Sequence, residues 1–258
     1  MDSIRGKPTK LFEAALRELD DPIATLPSAG LCLPFCRALD RVGDASARVL
    51  LAEDEDGRLD WRTQTVAADH RYEGRLGLRS ARTTDALVVG TERAYALDTT
   101  TLPSTAVASR LDGERPVAQR WALGERLRLD APPRSQLVAE TRETVGDTAA
   151  TAVTNEIRRG PARRRGPPGI DPVKLLLWSG AAEGARVSRV KTVIERMGLG
   201  SRQLFERRLD VLEDEELVAT PTINDGERGR PERQLSVPDD LGVADPTSPP
   251  DWVRAALL

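Results

Sequence analysis

Ser201-Arg202-Gln203-Leu204-Phe205-Glu206-Arg207-Arg208-Leu209-Asp210-Val211-Leu212 decides how the C-terminal half of this chain folds. A serine before apolar residues at helical spacing reads as an N-cap, because its hydroxyl can accept from a backbone N–H that a helix start leaves unpaired. Leu204, Phe205, Leu209 and Leu212 form one stripe, which leaves Arg202, Gln203, Glu206 and Arg207 on the outer face. Upstream, Gly198-Leu199-Gly200 ends a second helix that starts at Ser188 and carries Val190, Val193, Ile194 and Met197 on its apolar side. Further upstream, Asp171-Pro172 supplies a cap acceptor and a proline at the first helical position. Val173, Leu176 and Leu177 follow at helical spacing, with a stop at Gly180. Downstream, apolar runs over 217–223 and 234–237 flank Asn224-Asp225-Gly226-Glu227-Arg228-Gly229-Arg230-Pro231, a turn-rich segment suited to a hairpin tip. The order is helix, helix, tight turn, helix, hairpin.

That is the order of a winged helix-turn-helix over residues 171–240, and its exposed chemistry suits double-stranded DNA. Arg202, Gln203 and Arg207 can reach base edges in the major groove, which admits one helix. Arg228, Arg230 and Arg233 are placed on the hairpin for a phosphate or minor groove. Ser188, Arg189 and Lys191 open the second helix, and Ser201 the third, where backbone N–H groups and the helix dipole favour a phosphate.

The same residues carry a resemblance. Ser201-Arg202-Gln203, Arg207 to Glu213 and Leu217-Val218 resemble the recognition helix and first wing strand of archaeal and bacterial winged-helix regulators. Gly229-Arg230-Pro231, with Leu235 behind it, is similar to their wing. One position departs: those families place glycine before the Leu-Val pair, where this chain has Glu216. Glycine there permits a left-handed turn, so the corner is expected to be built differently.

Two features favour other readings. Exposed arginines are often simply solvated, and Asp210, Glu213, Asp214, Glu215 and Glu216 would repel DNA if they faced the groove. A protein-interaction adaptor, whose winged helix binds a partner protein, is therefore the rival. The acidic run lies at the far end of the helix from Arg202, and recognition helices commonly read bases with their N-terminal residues.

The whole chain of 258 residues has room for two modest domains. Net charge is −3, but Arg158-Arg159 and Arg163-Arg164-Arg165 concentrate basic charge in 158–170, which glycines and prolines mark as a linker. Lysine occurs only at positions 7, 10, 174 and 191, the composition of a GC-rich genome. Cys32 and Cys36 straddle Pro34; a buried reduced pair is preferred over a disulfide, metal or redox site. No signal peptide, membrane-spanning run or lipidation motif is visible, so a cytoplasmic location is expected.

Residues 1–157 read as a small α/β domain, giving an α+β chain overall. Helices are expected at 9–19 and 31–42, a strand at 48–52, a polar helix reaching about Leu78, and a hairpin from 85–90 and 94–97. A further helix covers 116–127. A long helix over 134–157 carries Leu137, Thr141, Val145, Ala149, Val153 and Ile157 in one seam, either a homodimer contact or packing against the first domain. Residues 241–258 form a tail whose end, 252–258, can dock as a short helix.

His70 is the single histidine, which excludes a His-rich metal site. Phosphate-loop, dinucleotide and nucleophile-elbow patterns are absent, so neither a catalytic role nor a cofactor is expected. The strand and hairpin arrangement resembles the phospholipase D-like effector domain of some archaeal sugar-responsive regulators. Tyr72 stands where the catalytic versions have lysine, which implies a non-catalytic sensing or scaffolding domain with a small-molecule effector as its candidate ligand. The N-terminal pattern, basic linker and C-terminal winged helix together resemble the haloarchaeal TbsP-type transcriptional regulators, which implies control of carbon-metabolism genes.

Overall fold

The computed structural model describes residues 3–52, 59–82, 86–102, 105–112, 117–159, 170–223, 232–241, 245 and 247–258. The chain divides into two compact units, Met1–Leu129 and Asp130–Leu258.

In the first unit, β1 (Ser3–Gly6) leads into α1 (Pro8–Glu18), then β2 (Ile23–Leu26), α2 (Cys32–Val42), β3 (Ala47–Ala52), α3 (Trp61–Tyr72) and β4 (Leu76–Ala81). Next come β5 (Leu87–Val89), β6 (Arg93–Leu102), β7 (Thr105–Asp112), α4 (Val117–Leu123) and β8 (Glu125–Arg126). One mixed sheet results, in the order β1-β7-β6-β5-β2-β3-β4-β8. β2, β3 and β4 are parallel, and the other pairings are antiparallel.

Register sorts the side chains onto the two faces. Ile23 lies opposite Arg48 and Val89, Leu50 opposite Thr25 and Arg79, and Gly77 opposite Arg48, so these residues share one face. There Ile23, Leu50, Leu87, Val89 and Ala94 pack with Val117 and Trp121 of α4. A Cβ on Gly77 would come within 3.0 Å of the Trp121 ring, so glycine lets the indole lie on the strand. Arg79 lies 4.8 Å from that ring and donates to the Trp121 carbonyl at 2.7 Å, closing the end of α4. The other face carries Val49, Leu51 and Leu78. α3 packs on β4, α2 on α3 and α1 on α2. Covered on both sides, β3 reads as a nearly continuous apolar run.

The strand at 48–52 and the hairpin near Gly90 form as expected. The polar helix expected to reach Leu78 stops at Tyr72. Gly74, at φ +74°, reverses the chain, and Leu76–Ala81 becomes the strand β4. His70 lies on the buried side of α3, its Nε2 3.0 Å from the Cys36 carbonyl, so the single histidine ties α3 to α2. Burial holds its pKa below the ordinary histidine value, with the neighbouring Asp40 opposing that shift. Cys32 and Cys36 are both buried and are not joined in a disulfide. Among the described residues no His/Cys/Asp/Glu group could hold a metal ion, and no helix is long and apolar enough to cross a membrane.

The second unit begins with α5 (Arg134–Thr144) and α6 (Asp147–Arg159), where one long helix was expected. The chain breaks at Gly146, whose φ is +148°. A Cβ there would sit 1.9 Å from Glu183 Oε1, the atom that accepts from the Thr148 backbone N–H at 3.1 Å near the start of α6. The apolar spacing runs across the break, which is why the two helices read as one. Leu137, Ala149, Val153 and Ile157 are buried inside this unit, where α5 packs on α6 and α8 and α6 on α7. The seam expected to join a second copy or the first domain is thus occupied by the unit's own core, and these helices pack beyond position 157, with the C-terminal unit.

Then follow α7 (Pro172–Ala182), α8 (Val187–Arg196), α9 (Arg202–Asp214), the short hairpin β9 (Thr222–Ile223) and β10 (Glu232–Arg233), and α10 (Asp251–Leu257). The residue before α8 joins the hairpin, because Arg186 bridges Gln234 and the Leu235 N–H donates to the Ala185 carbonyl at 2.8 Å. The end of the tail docks as the helix α10. Val253 and Leu257 are fully buried, Arg254 pairs with buried Glu156 at 2.9 Å, and Lys174 Nζ donates to the Ala256 carbonyl at 2.6 Å. Linker residues 160–169, including Arg163, Arg164 and Arg165, lie outside the described residues.

Candidate nucleic-acid interface

Capping sets where the third helix begins. Ser201 Oγ accepts from the Leu204 N–H at 3.2 Å, as its place before the apolar stripe implies. Phe205, Leu209 and Leu212 are fully buried against α7 and α8, while Leu204 is only half-buried. Arg202, Gln203 and Arg207 are exposed on the first two turns. At about 1.5 Å of rise per residue, the acidic end of this helix lies roughly 18 Å from Arg202.

Arg208 turns inward. Its Nε lies 2.8 Å from Asp171 Oδ2, while Asp171 Oδ1 accepts from the Val173 and Lys174 N–H groups at 2.8 and 3.3 Å. One carboxylate therefore caps α7 and anchors α9. Sequence patterning identified the cap, but nothing local pairs Asp171 with a residue 37 positions away.

The second helix starts at Val187, one residue before the expected Ser188. Arg186 is its cap residue, with no side-chain cap bond. Ser188 and Arg189 are exposed in the first turn, and Lys191 is half-buried. Arg233 is exposed on β10. Arg228 and Arg230, with the rest of the hairpin tip, lie outside the described residues. Within this face Glu206 stands between two cations, its Oε1 3.8 Å from Lys191 Nζ and its Oε2 3.7 Å from an Arg233 guanidinium nitrogen. The helical pattern put Glu206 on the outer face without revealing that it joins α8 and β10 to α9.

The corner after α9 corrects the expectation attached to Glu216. Glu216 itself adopts φ +54°. Its N–H donates to the Glu213 carbonyl at 3.0 Å, and the Leu217 N–H to the Leu212 carbonyl at 2.9 Å, the paired bonds of a Schellman ending. α7 and α8 end in the same way at Gly184 and Gly198, with φ +65° and +66°. The turn that glycine usually makes is present here with glutamate in its place. Glu213 further accepts from the Thr220 hydroxyl, which ties the acidic end to the chain leading into the hairpin.

A family model for the C-terminal helix-turn-helix domain of TbsP-like transcriptional regulators matches residues 133–249. The match takes in α5 and α6 and so agrees with their packing in the second unit. Among solved structures, the chain is similar to TrmBL2, described as an archaeal chromatin protein with a novel mode of DNA binding, at 20% identity and a TM-score of 0.32. That similarity covers 49% of this chain and 53% of TrmBL2, so the chain spans about half the length of that relative. No curated protein matches. Over residues 133–249, therefore, the chain is similar to the C-terminal helix-turn-helix domain of TbsP-like transcriptional regulators.

Proposed function

We propose that the protein is a sequence-specific, double-stranded-DNA-binding transcription regulator that reads the major groove with α9. The observation that carries this reading is the division of that helix, with Phe205, Leu209 and Leu212 fully buried and Arg202, Gln203 and Arg207 exposed at its N-terminal end. Arg and Gln are the side chains able to fork onto guanine and adenine edges. Ser188, Arg189, Lys191 and Ser201 then serve the phosphates, together with Arg233 and the hairpin-tip residues Arg228 and Arg230. The protein acts without catalysis and in the cytoplasm, as a homodimer on a two-fold operator. Its first unit senses a small-molecule effector, and carbon-metabolism genes are the targets that the resemblance to TbsP-type regulators suggests.

The test is titration of the full chain against random-sequence duplex and against a duplex selected by the protein from a random pool. Affinity for random duplex should fall steeply with salt. Arg202→Ala should cost about 1–3 kcal/mol on the selected duplex and little on the random one. An unchanged preference in that variant removes Arg202 from base reading. The exposed acidic residues Asp210, Asp214, Glu215 and Glu216 favour the adaptor reading, which requires negligible duplex binding at every salt concentration.

A further inference from the structure

Exposed ion pairs contribute little to folding, so stability alone does not account for a carboxylate at the centre of a face meant for a polyanion. Glu206 nevertheless sits there, with one oxygen directed to Lys191 of α8 and the other to Arg233 of β10. It lies one helical turn beyond Arg202, on the outer side of α9, and its side chain is 41% exposed.

We propose that Glu206 is the specificity-setting residue of this face, an inference that rests on the DNA-binding reading above. A carboxylate only accepts hydrogen bonds, and the only base-edge donors in the major groove are the amino groups of cytosine and adenine. A site that presents such an amino group opposite α9 satisfies Glu206 and frees Lys191 and Arg233 for phosphates. A site without one leaves Glu206 facing acceptor oxygens, and the two cations stay neutralised within the protein. Glu206 thus lowers binding to arbitrary sequence more than binding to the correct one.

The experiment compares full-length wild type, Glu206→Gln and the triple variant Glu206→Gln/Lys191→Gln/Arg233→Gln on random and selected duplexes, with circular dichroism confirming equal folding. Each phosphate gained steepens the salt dependence by about 0.9 in log–log slope. Glu206→Gln should therefore bind random duplex more tightly, and its loss of affinity between 50 and 200 mM salt should grow by about three- to twelvefold. Its selected-to-random ratio should fall, pool selection should lose a cytosine or adenine preference at one position, and the triple variant should abolish the gain. A Glu206→Gln protein that matches wild type in random-duplex affinity and salt slope overturns the proposal, as does a gain that survives in the triple variant. Wild type that binds neither duplex sinks the DNA reading itself; wild type that binds with Glu206→Gln indistinguishable from it sinks only the role of Glu206.

Discussion

Replacing Glu216 with glycine should stabilise the second unit. A left-handed backbone costs an L-residue about 1–2 kcal/mol, a cost that glycine avoids. Glycine also loosens the unfolded chain, which returns about 0.5–1 kcal/mol. The exchange further removes an exposed anion just past the C-terminus of α9, where the helix dipole disfavours negative charge by a few tenths of a kcal/mol, less in salt. The balance is a gain of about 0.5–1.5 kcal/mol, or roughly 2–6 °C in Tm for a unit of this size. Glu216→Gln separates the contributions, because it discharges the side chain and leaves the backbone cost in place. Chemical denaturation of the full chain, followed by hydrogen exchange of peptides from α7 to α9, reads this unit apart from the first. Equal stability of the glycine and glutamine variants would refute the left-handed corner, and a glycine variant less stable than wild type would refute the whole calculation.

Two further predictions concern buried charge. His70 has its folded pKa depressed by burial, so its contribution is fully present above the unfolded value near 6.5 and is lost as pH falls from there through the folded pKa. A stability profile of the first unit should decline across that acidic window in wild type and flatten in His70→Gln; parallel profiles would show that the histidine is not responsible. Arg254→Met removes the 2.9 Å ion pair to Glu156, which is 2% exposed, and should destabilise the second unit by about 1–3 kcal/mol in denaturant melts. A loss within error of zero would mean that the Arg254–Glu156 pair adds nothing to the fold.

The second unit was the more legible half because its signals are local. Asp171, Ser201 and Gly198 mark helix ends through backbone hydrogen bonding within a few residues, and the stripe of Phe205, Leu209 and Leu212 has an unambiguous period. In the first unit, β2 is four residues long, too short for alternation to register, and one face of the continuous strand β4 carries Gly77 and Arg79, weak strand signals that belong to a tertiary contact with Trp121. The break at Gly146 was hidden because Val145, Ala149 and Val153 keep helical spacing across it. A helix pattern reveals which face is apolar but not which partner covers it, so α5 and α6 were grouped with the wrong neighbours. At Glu216 residue identity misled: the other bonds of the corner were strong enough to impose the left-handed turn on a residue that disfavours it. Of the candidate interface, α9 was readable from sequence, whereas the pairing of Glu206 across three elements and the inward turn of Arg208 depend on folded geometry.

Asp171 narrows what evolution can write at its position. A helix start alone tolerates serine, threonine, asparagine or aspartate, but this side chain divides its two oxygens between the α7 amides and the Arg208 guanidinium. Asparagine would keep the cap and offer Arg208 no anion, serine would have no second oxygen, and glutamate would overreach the amides. The usable alphabet at this position shrinks to one letter, and a drifting lineage that loses it would shift the seat of α9 without altering a single residue of its exposed face.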